Sequence, residues 1–218
     1  MRHGQTLFNV QKRIQGWSDS PLTDLGIEQA KQAGAYFEKV GLTFDSYFCS
    51  TTERASDTLE LATGVTNYKR LKGLKEMNFG RFEGQQEYLH PPREVRRAVG
   101  NYYVIHGGES DNDVRARVNA TVSQIAQDNE NKTVLVVSHA GALMHFLTSI
   151  GIDFEKYGIF PSNCCLFDLT YDGGDFRLNR MIDPLEEKIF DFSLGQWLSW
   201  KVCVSSQGVW KNVMIFVI

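Results

Sequence analysis

Apolar and polar positions along the chain predict alternating helices and strands. Ile27, Ala30, Gly34 and Phe37 recur at helical spacing between Thr23, a good N-cap, and Gly41, a natural stop. Residues 44–49 form a short apolar run that reads as a buried strand. Thr51 or Thr52 then caps a helix, which puts Arg54 in its first turn, at the C-terminal edge of that strand. Ser110 opens a longer helix with Asp113 in a capping-box position and Val114, Val118, Val122 and Ile125 as its core stripe. Residues 133–138 are continuous, apolar and β-branched, as a parallel strand buried on both faces requires. A helix over 142–150 follows. Residues 164–170 and 176–181 flank Asp172-Gly173-Gly174-Asp175 and predict a hairpin. Residues 9–22 read as a loop, 71–84 as irregular, and 85–109 as a polar insertion carrying Pro91-Pro92 and the solvated cluster Arg93, Arg96 and Arg97.

The chain of 218 residues is one large domain or two small ones. Lys+Arg 23 against Asp+Glu 26 leaves a net charge of −3, which argues against nucleic acid as a partner. Any anion site must come from locally gathered arginines. Cys49, Cys164, Cys165 and Cys203 lack metal-type spacing and read as free thiols of a reducing compartment. Cys164 and Cys165 would point to opposite faces of an extended run. Neither a signal peptide nor a membrane-length apolar run is expected, so the expected location is the cytoplasm, with no membrane partner.

The densest chemistry is in Met1-Arg2-His3-Gly4-Gln5-Thr6. A cation, a titratable ring and a glycine side by side suit an anion site that holds a nucleophile or base. Asn9, Gln15 and Gly16 extend it. Three later residues add weight: Arg54, Glu76 in Leu74-Lys75-Glu76-Met77-Asn78-Phe79-Gly80, and His139 in Ser138-His139-Ala140-Gly141, where a buried strand meets a helix.

These motifs, in this order, resemble the histidine phosphatase superfamily with its phosphoglycerate-mutase-like fold. The resemblance implies a three-layer α/β/α domain with a mostly parallel central sheet over residues 1–183. It implies His3 as nucleophile, Glu76 as general acid and base, and His139 as transition-state stabiliser. Arg2, Arg54, Asn9, Gln15 and Gly16 would bind phosphate. The implied reaction is metal-independent hydrolysis of small phosphate monoesters through a phosphohistidine. The expected partner is a small phosphorylated metabolite, and a homodimer is allowed. The alternative is a phosphoglycerate mutase using the same residues and a 2,3-bisphosphoglycerate primer, the one cofactor in view. A non-catalytic phosphate-binding homologue is a further reading. His3, His139 and Glu76 also form a two-histidine, one-carboxylate set, but arginines aimed at the same point would repel a metal ion.

The chain departs from the family's pattern in three ways. Phe82 stands where relatives often carry tryptophan, and Glu83 is expected to be structural. Only Met1 precedes Arg-His-Gly where relatives carry an apolar strand: either the start is misassigned or truncated, or a central strand is lacking, which would expose sheet hydrogen-bonding groups and loosen His3. Residues 184–218 form an apolar, aromatic tail of unassigned structure.

Overall fold

The structure, a computed structural model, describes residues 1–152, 154–158, 160–199 and 216–217. Its strands are β1 (Ser46–Ser50), β2 (Lys69–Leu71), β3 (Val134–Val137), β4 (Leu166–Asp172), β5 (Asp175–Asp183), β6 (Lys188–Asp191), β7 (Gln196–Ser199) and β8 (Phe216–Val217). Its helices are α1 (Leu7–Val10), α2 (Asp24–Val40), α3 (Glu53–Thr63), α4 (Arg93–Val99), α5 (Asp111–Asp128), α6 (Ala140–Ser149) and α7 (Phe154–Tyr157).

The strands form one sheet in the order β2-β1-β3-β8-β4-β5-β6-β7. β2, β1, β3 and β8 run parallel; β4 to β7 continue the sheet in antiparallel fashion. The parallel part is as expected of an α/β domain, and hairpins extend it into a mixed sheet. β6 and β7 come from the segment left unassigned in sequence, and Cys203 lies outside the described residues.

β3 shows why the fold has three layers. Val134 and Val136 enter the core built with α5 and α6, while Leu135 and Val137 enter the core under α2 and α3. All four are fully buried, each contributing about 1.5–3 kcal/mol relative to exposure. Phe167 and Cys165 face the first core, Leu166 and Cys164 the second, so the two neighbouring thiols do point apart. Burial pushes both thiols up to about 12. No helix among the described residues is long and apolar enough to cross a membrane.

Most helix boundaries fall where the caps predicted. Thr23 accepts from the Gly26 N–H at the start of α2, and Gly41 takes the left-handed conformation at its end (φ 66°). The buried stripe of α2 is rotated from the expected one, with Ala33 and Tyr36 inside and Ile27 at its margin. Ser110 and Asp113 form the expected capping box of α5. α6 begins two residues earlier than expected because His139 itself is the N-cap.

The position in the sheet between β3 and β4 is filled by two segments, residues 1–3 and 216–217. The Ser138 N–H donates to Met1 O (2.9 Å) and the His3 N–H to Ser138 O (3.1 Å) on one side. On the other, the Arg2 N–H donates to Cys165 O and the Cys164 N–H to Arg2 O, both 3.1 Å. Further down the same slot, Phe216 and Val217 pair with Val134 and Leu135 of β3 and with Leu169 and Asp168 of β4. His3 is therefore anchored on both sides, contrary to the loosening expected from sequence.

Candidate active site

The parallel strands end at one edge, and the candidate residues gather there. β1 runs into Thr52 and Arg54 at the start of α3, β3 runs into Ser138 and His139, and Arg2 bridges Ser138 in parallel. A cleft of about 350 Å³ lined by Asp45, Tyr47, Tyr68 and Lys132 lies at the other end of these strands, away from this chemistry.

His3 is 5% exposed, and its ring centroid lies 5.3 Å from that of His139. His3 Nδ1 lies 2.8 Å from the Gly4 carbonyl oxygen. An oxygen there accepts, so Nδ1 carries the proton and Nε2 keeps its lone pair. Burial first, then the charges of Arg54 and Arg2, hold His3 well below the usual imidazole range. The ring is thus neutral near pH 7, as a nucleophile must be. Asn163 Nδ2 donates to the His3 carbonyl (3.0 Å), so its side chain rather than its backbone meets the motif.

Arg54 is fully buried. Its Nη1 donates to Ser18 O and to Asp19 Oδ1, both 2.9 Å, and its Nη2 to Gly16 O (2.8 Å). A cation at a helix N-terminus is poorly matched to the helix dipole. Here Asp19 and two carbonyls offset that mismatch. Arg54 Nε donates to His139 Nδ1 (3.2 Å). That bond places the His139 proton on Nε2, which lies 3.5 Å from Thr52 Oγ1. Burial, then Arg54 and His3, hold His139 well below the usual imidazole range. Near pH 7 His139 is therefore a neutral ring with an Nε2–H donor.

Arg2 directs Nη1 to the Pro161 carbonyl (2.6 Å), while its buried Nε has no partner among the described residues. Glu76 is 7% exposed. Its Oε1 accepts from the Met77 N–H and its Oε2 from the Gly141 N–H in the first turn of α6, both 2.8 Å. A Cβ on Gly141 would lie 2.4 Å from Glu76 Oε1, so only glycine allows this approach.

The remaining predicted residues brace the site. Asn9 Oδ1 accepts from the Thr6 N–H (3.1 Å) in the capping box of α1. Gln15 accepts from Thr6 Oγ1 (2.7 Å) and donates to Ser20 Oγ (3.0 Å). A Cβ on Gly16 would meet Glu83 Oε1 at 2.2 Å and Met77 O at 2.4 Å. Glu83 accepts from the backbone N–H groups of Trp17, Ser18 and Phe79, which makes it structural, as expected. His90 and His106 belong to an aromatic cluster with Phe82, Tyr102 and Tyr103 inside the insertion. Asp19, Thr58 and Gly141 escaped sequence reasoning. Thr58 Oγ1 accepts from the Gly4 N–H (3.0 Å) and donates to Arg54 O (2.7 Å). The Ser18-Asp19-Ser20 turn carried the one sequence signal, a carboxylate beside Gln15 and Gly16.

Comparison with known proteins identifies the family. The chain belongs to the histidine phosphatase superfamily (branch 1), whose family profile matches residues 1–184. It is 27% identical over 192 residues to the broad-specificity phosphatase YOR283W of Saccharomyces cerevisiae, covering 83% of each chain. It is 34% identical over 158 residues to the probable phosphoglycerate mutase GpmB of Salmonella newport, covering 69% of this chain and 72% of that one. Among solved structures, Bacillus stearothermophilus YhfR superposes with a TM-score of 0.71 at 28% identity, covering 81% of this chain and 92% of that one.

Proposed function

We propose that this chain is a metal-independent phosphatase that hydrolyses small phosphate monoesters through a phosphohistidine on His3. One observation carries the reading: a neutral His3 with its proton fixed on Nδ1, set among Arg2, Arg54, His139 and Glu76. Nε2 attacks phosphorus while the bond to the leaving oxygen breaks. Glu76 gives that oxygen a proton, and afterwards takes one from the water that attacks the phosphohistidine and releases phosphate. Arg2 and the His139 Nε2–H face the charge that builds on the phosphoryl oxygens. Arg54 spends four N–H contacts on protein groups. Its main part is to orient His139 and the Gly16–Ser18 loop, leaving one N–H for phosphate. The two histidines and Glu76 suit a metal poorly, because Arg54 already donates to one ring and backbone amides hold the carboxylate.

The test is phosphate release from aryl, sugar and glycerate phosphates in EDTA, for the wild type and His3→Ala, with acid quench to trap labelled enzyme. The expected outcome is a loss of at least about 10³-fold in kcat and of the acid-labile label with His3→Ala. Equal rates in the two proteins would overturn the nucleophile. Transfer to glycerate dependent on a bisphosphate primer, exceeding phosphate release, would establish the mutase instead.

A further inference from the structure

The segment that carries Glu76 lies between two short turns, Lys72–Leu74 and Gly80–Phe82, and no strand ladder holds it. Trp17 Nε1 donates to the Glu76 carbonyl (2.9 Å) and Ser138 Oγ to that of Leu74 (2.8 Å), but the most extensive hold comes from one side chain on α5. Arg117 directs Nη1 to the carbonyl oxygens of Gly73 (3.1 Å) and Lys75 (2.7 Å), and Nη2 to that of Glu76 (3.2 Å). The other edge of its guanidinium pairs with Glu109, Nε to Oε1 at 2.8 Å and Nη2 to Oε2 at 2.7 Å. Glu109 is also tied to the segment: its Oε2 accepts from the Asn78 N–H (2.8 Å), and its own N–H donates to Asn78 O (2.9 Å). Both side chains are largely buried, at 19% and 16% exposure.

We propose that Arg117, with Glu109 as its counter-ion, is a positioning residue that sets where Glu76 meets the leaving group. The proposal rests on the reading of Glu76 as the proton donor. A guanidinium has five N–H donors, and the five contacts above use all of them. None is left for substrate, so Arg117 acts only through the segment it holds. It grips the carbonyl of Glu76 itself, and the next residue's N–H binds the Glu76 carboxylate. A shift of this backbone therefore moves the acid and one of its two anchors together. Glu109 ends the 85–109 insertion, so the same pair also ties that insertion to the acid. A lysine carries a point charge with three donors and cannot make a planar five-point hold.

The test is the dependence of first-turnover phenol release on leaving-group basicity. A dinitrophenolate departs without a proton, whereas phenolate or an alkoxide needs one. Wild type, Glu76→Gln, Arg117→Met and Arg117→Lys are compared across a series of aryl phosphates and one alkyl phosphate. Both Arg117 variants are expected to stay within about threefold of wild type on the dinitrophenyl ester and to lose about 10²-fold on the alkyl ester, the pattern of a misplaced general acid. An equal loss across the series, or no loss, overturns the role of Arg117. If Glu76→Gln steepens the dependence and the Arg117 variants do not, only Arg117 fails. If Glu76→Gln itself shows a flat loss, the reading of Glu76 fails. Thermal melting accompanies each variant; should Arg117→Met not fold, Arg117→Lys, which keeps the charge and the buried stem, decides the outcome.

Discussion

Replacing Gly141 by alanine separates catalytic geometry from stability. The added Cβ would sit 2.4 Å from Glu76 Oε1, 3.0 Å from its Cδ and 3.1 Å from its Oε2. Ordinary contact begins near 3.4 Å, so the carboxylate must retreat by 3.4 − 2.4 = 1.0 Å. That retreat breaks the 2.8 Å bond from the Gly141 N–H to Oε2. A displacement of this size at a reacting group costs on the order of 10²-fold in rate. Gly141 lies in the first turn of α6, where alanine is the better helix former by up to about 1 kcal/mol. The carboxylate is the far end of a flexible side chain, so the backbone need not move. Gly141→Ala is therefore expected to melt at or slightly above the wild-type temperature while kcat/KM on an alkyl phosphate falls about 10²-fold. Steady-state kinetics and a calorimetric melt measure both. Activity within about threefold of wild type would refute the placement of Glu76 against α6. A parallel fall in melting temperature and activity would refute the claim that the effect is local.

Two further outcomes follow from the same geometry. His3 and His139 are both held well below 6.5 by burial and by Arg54. Below about pH 6.5 the unfolded chain binds protons that the folded protein excludes, so stability is retained above that pH and falls as pH drops, by about 1.4 kcal/mol per pH unit for each ring. Between about pH 7.5 and 5.5, urea unfolding should show His3→Gln losing about 1.4 kcal/mol less stability than wild type over the whole interval, and an equal loss would contradict the neutral ring. Glu83→Ala removes the acceptor for three backbone N–H groups around the Gly16–Ser18 loop, which supplies two carbonyls to Arg54. It should weaken inhibition by inorganic phosphate about tenfold, with a smaller effect on kcat, and an unaltered inhibition constant would show that the loop holds its shape without Glu83.

Residues 23–41, 110–128 and 133–138 declare themselves in sequence because their signals are local. A cap, a helical stripe or a β-branched run lies within one element, and the physics that forms the element acts over the same few residues. Arg2, His3, Arg54, Glu76 and His139 were legible as a set through motif chemistry. What those groups do to one another was not. The proton positions on His3 and His139, the capture of Arg54 by Asp19, the hold of Arg117 on the Glu76 segment and the approach of Gly141 to Glu76 join residues 35 to 85 positions apart, apart from the contact of His3 with its own neighbour. No periodicity spans such separations, since they are set by how α3, α5 and α6 pack on the sheet. The filling of the slot beside β3 is decided the same way. In sequence, only Met1 stands before Arg-His-Gly. Only the tertiary arrangement places Phe216 and Val217 in that slot, because a gap between β3 and β4 leaves backbone donors and acceptors that an extended segment from anywhere in the chain can satisfy.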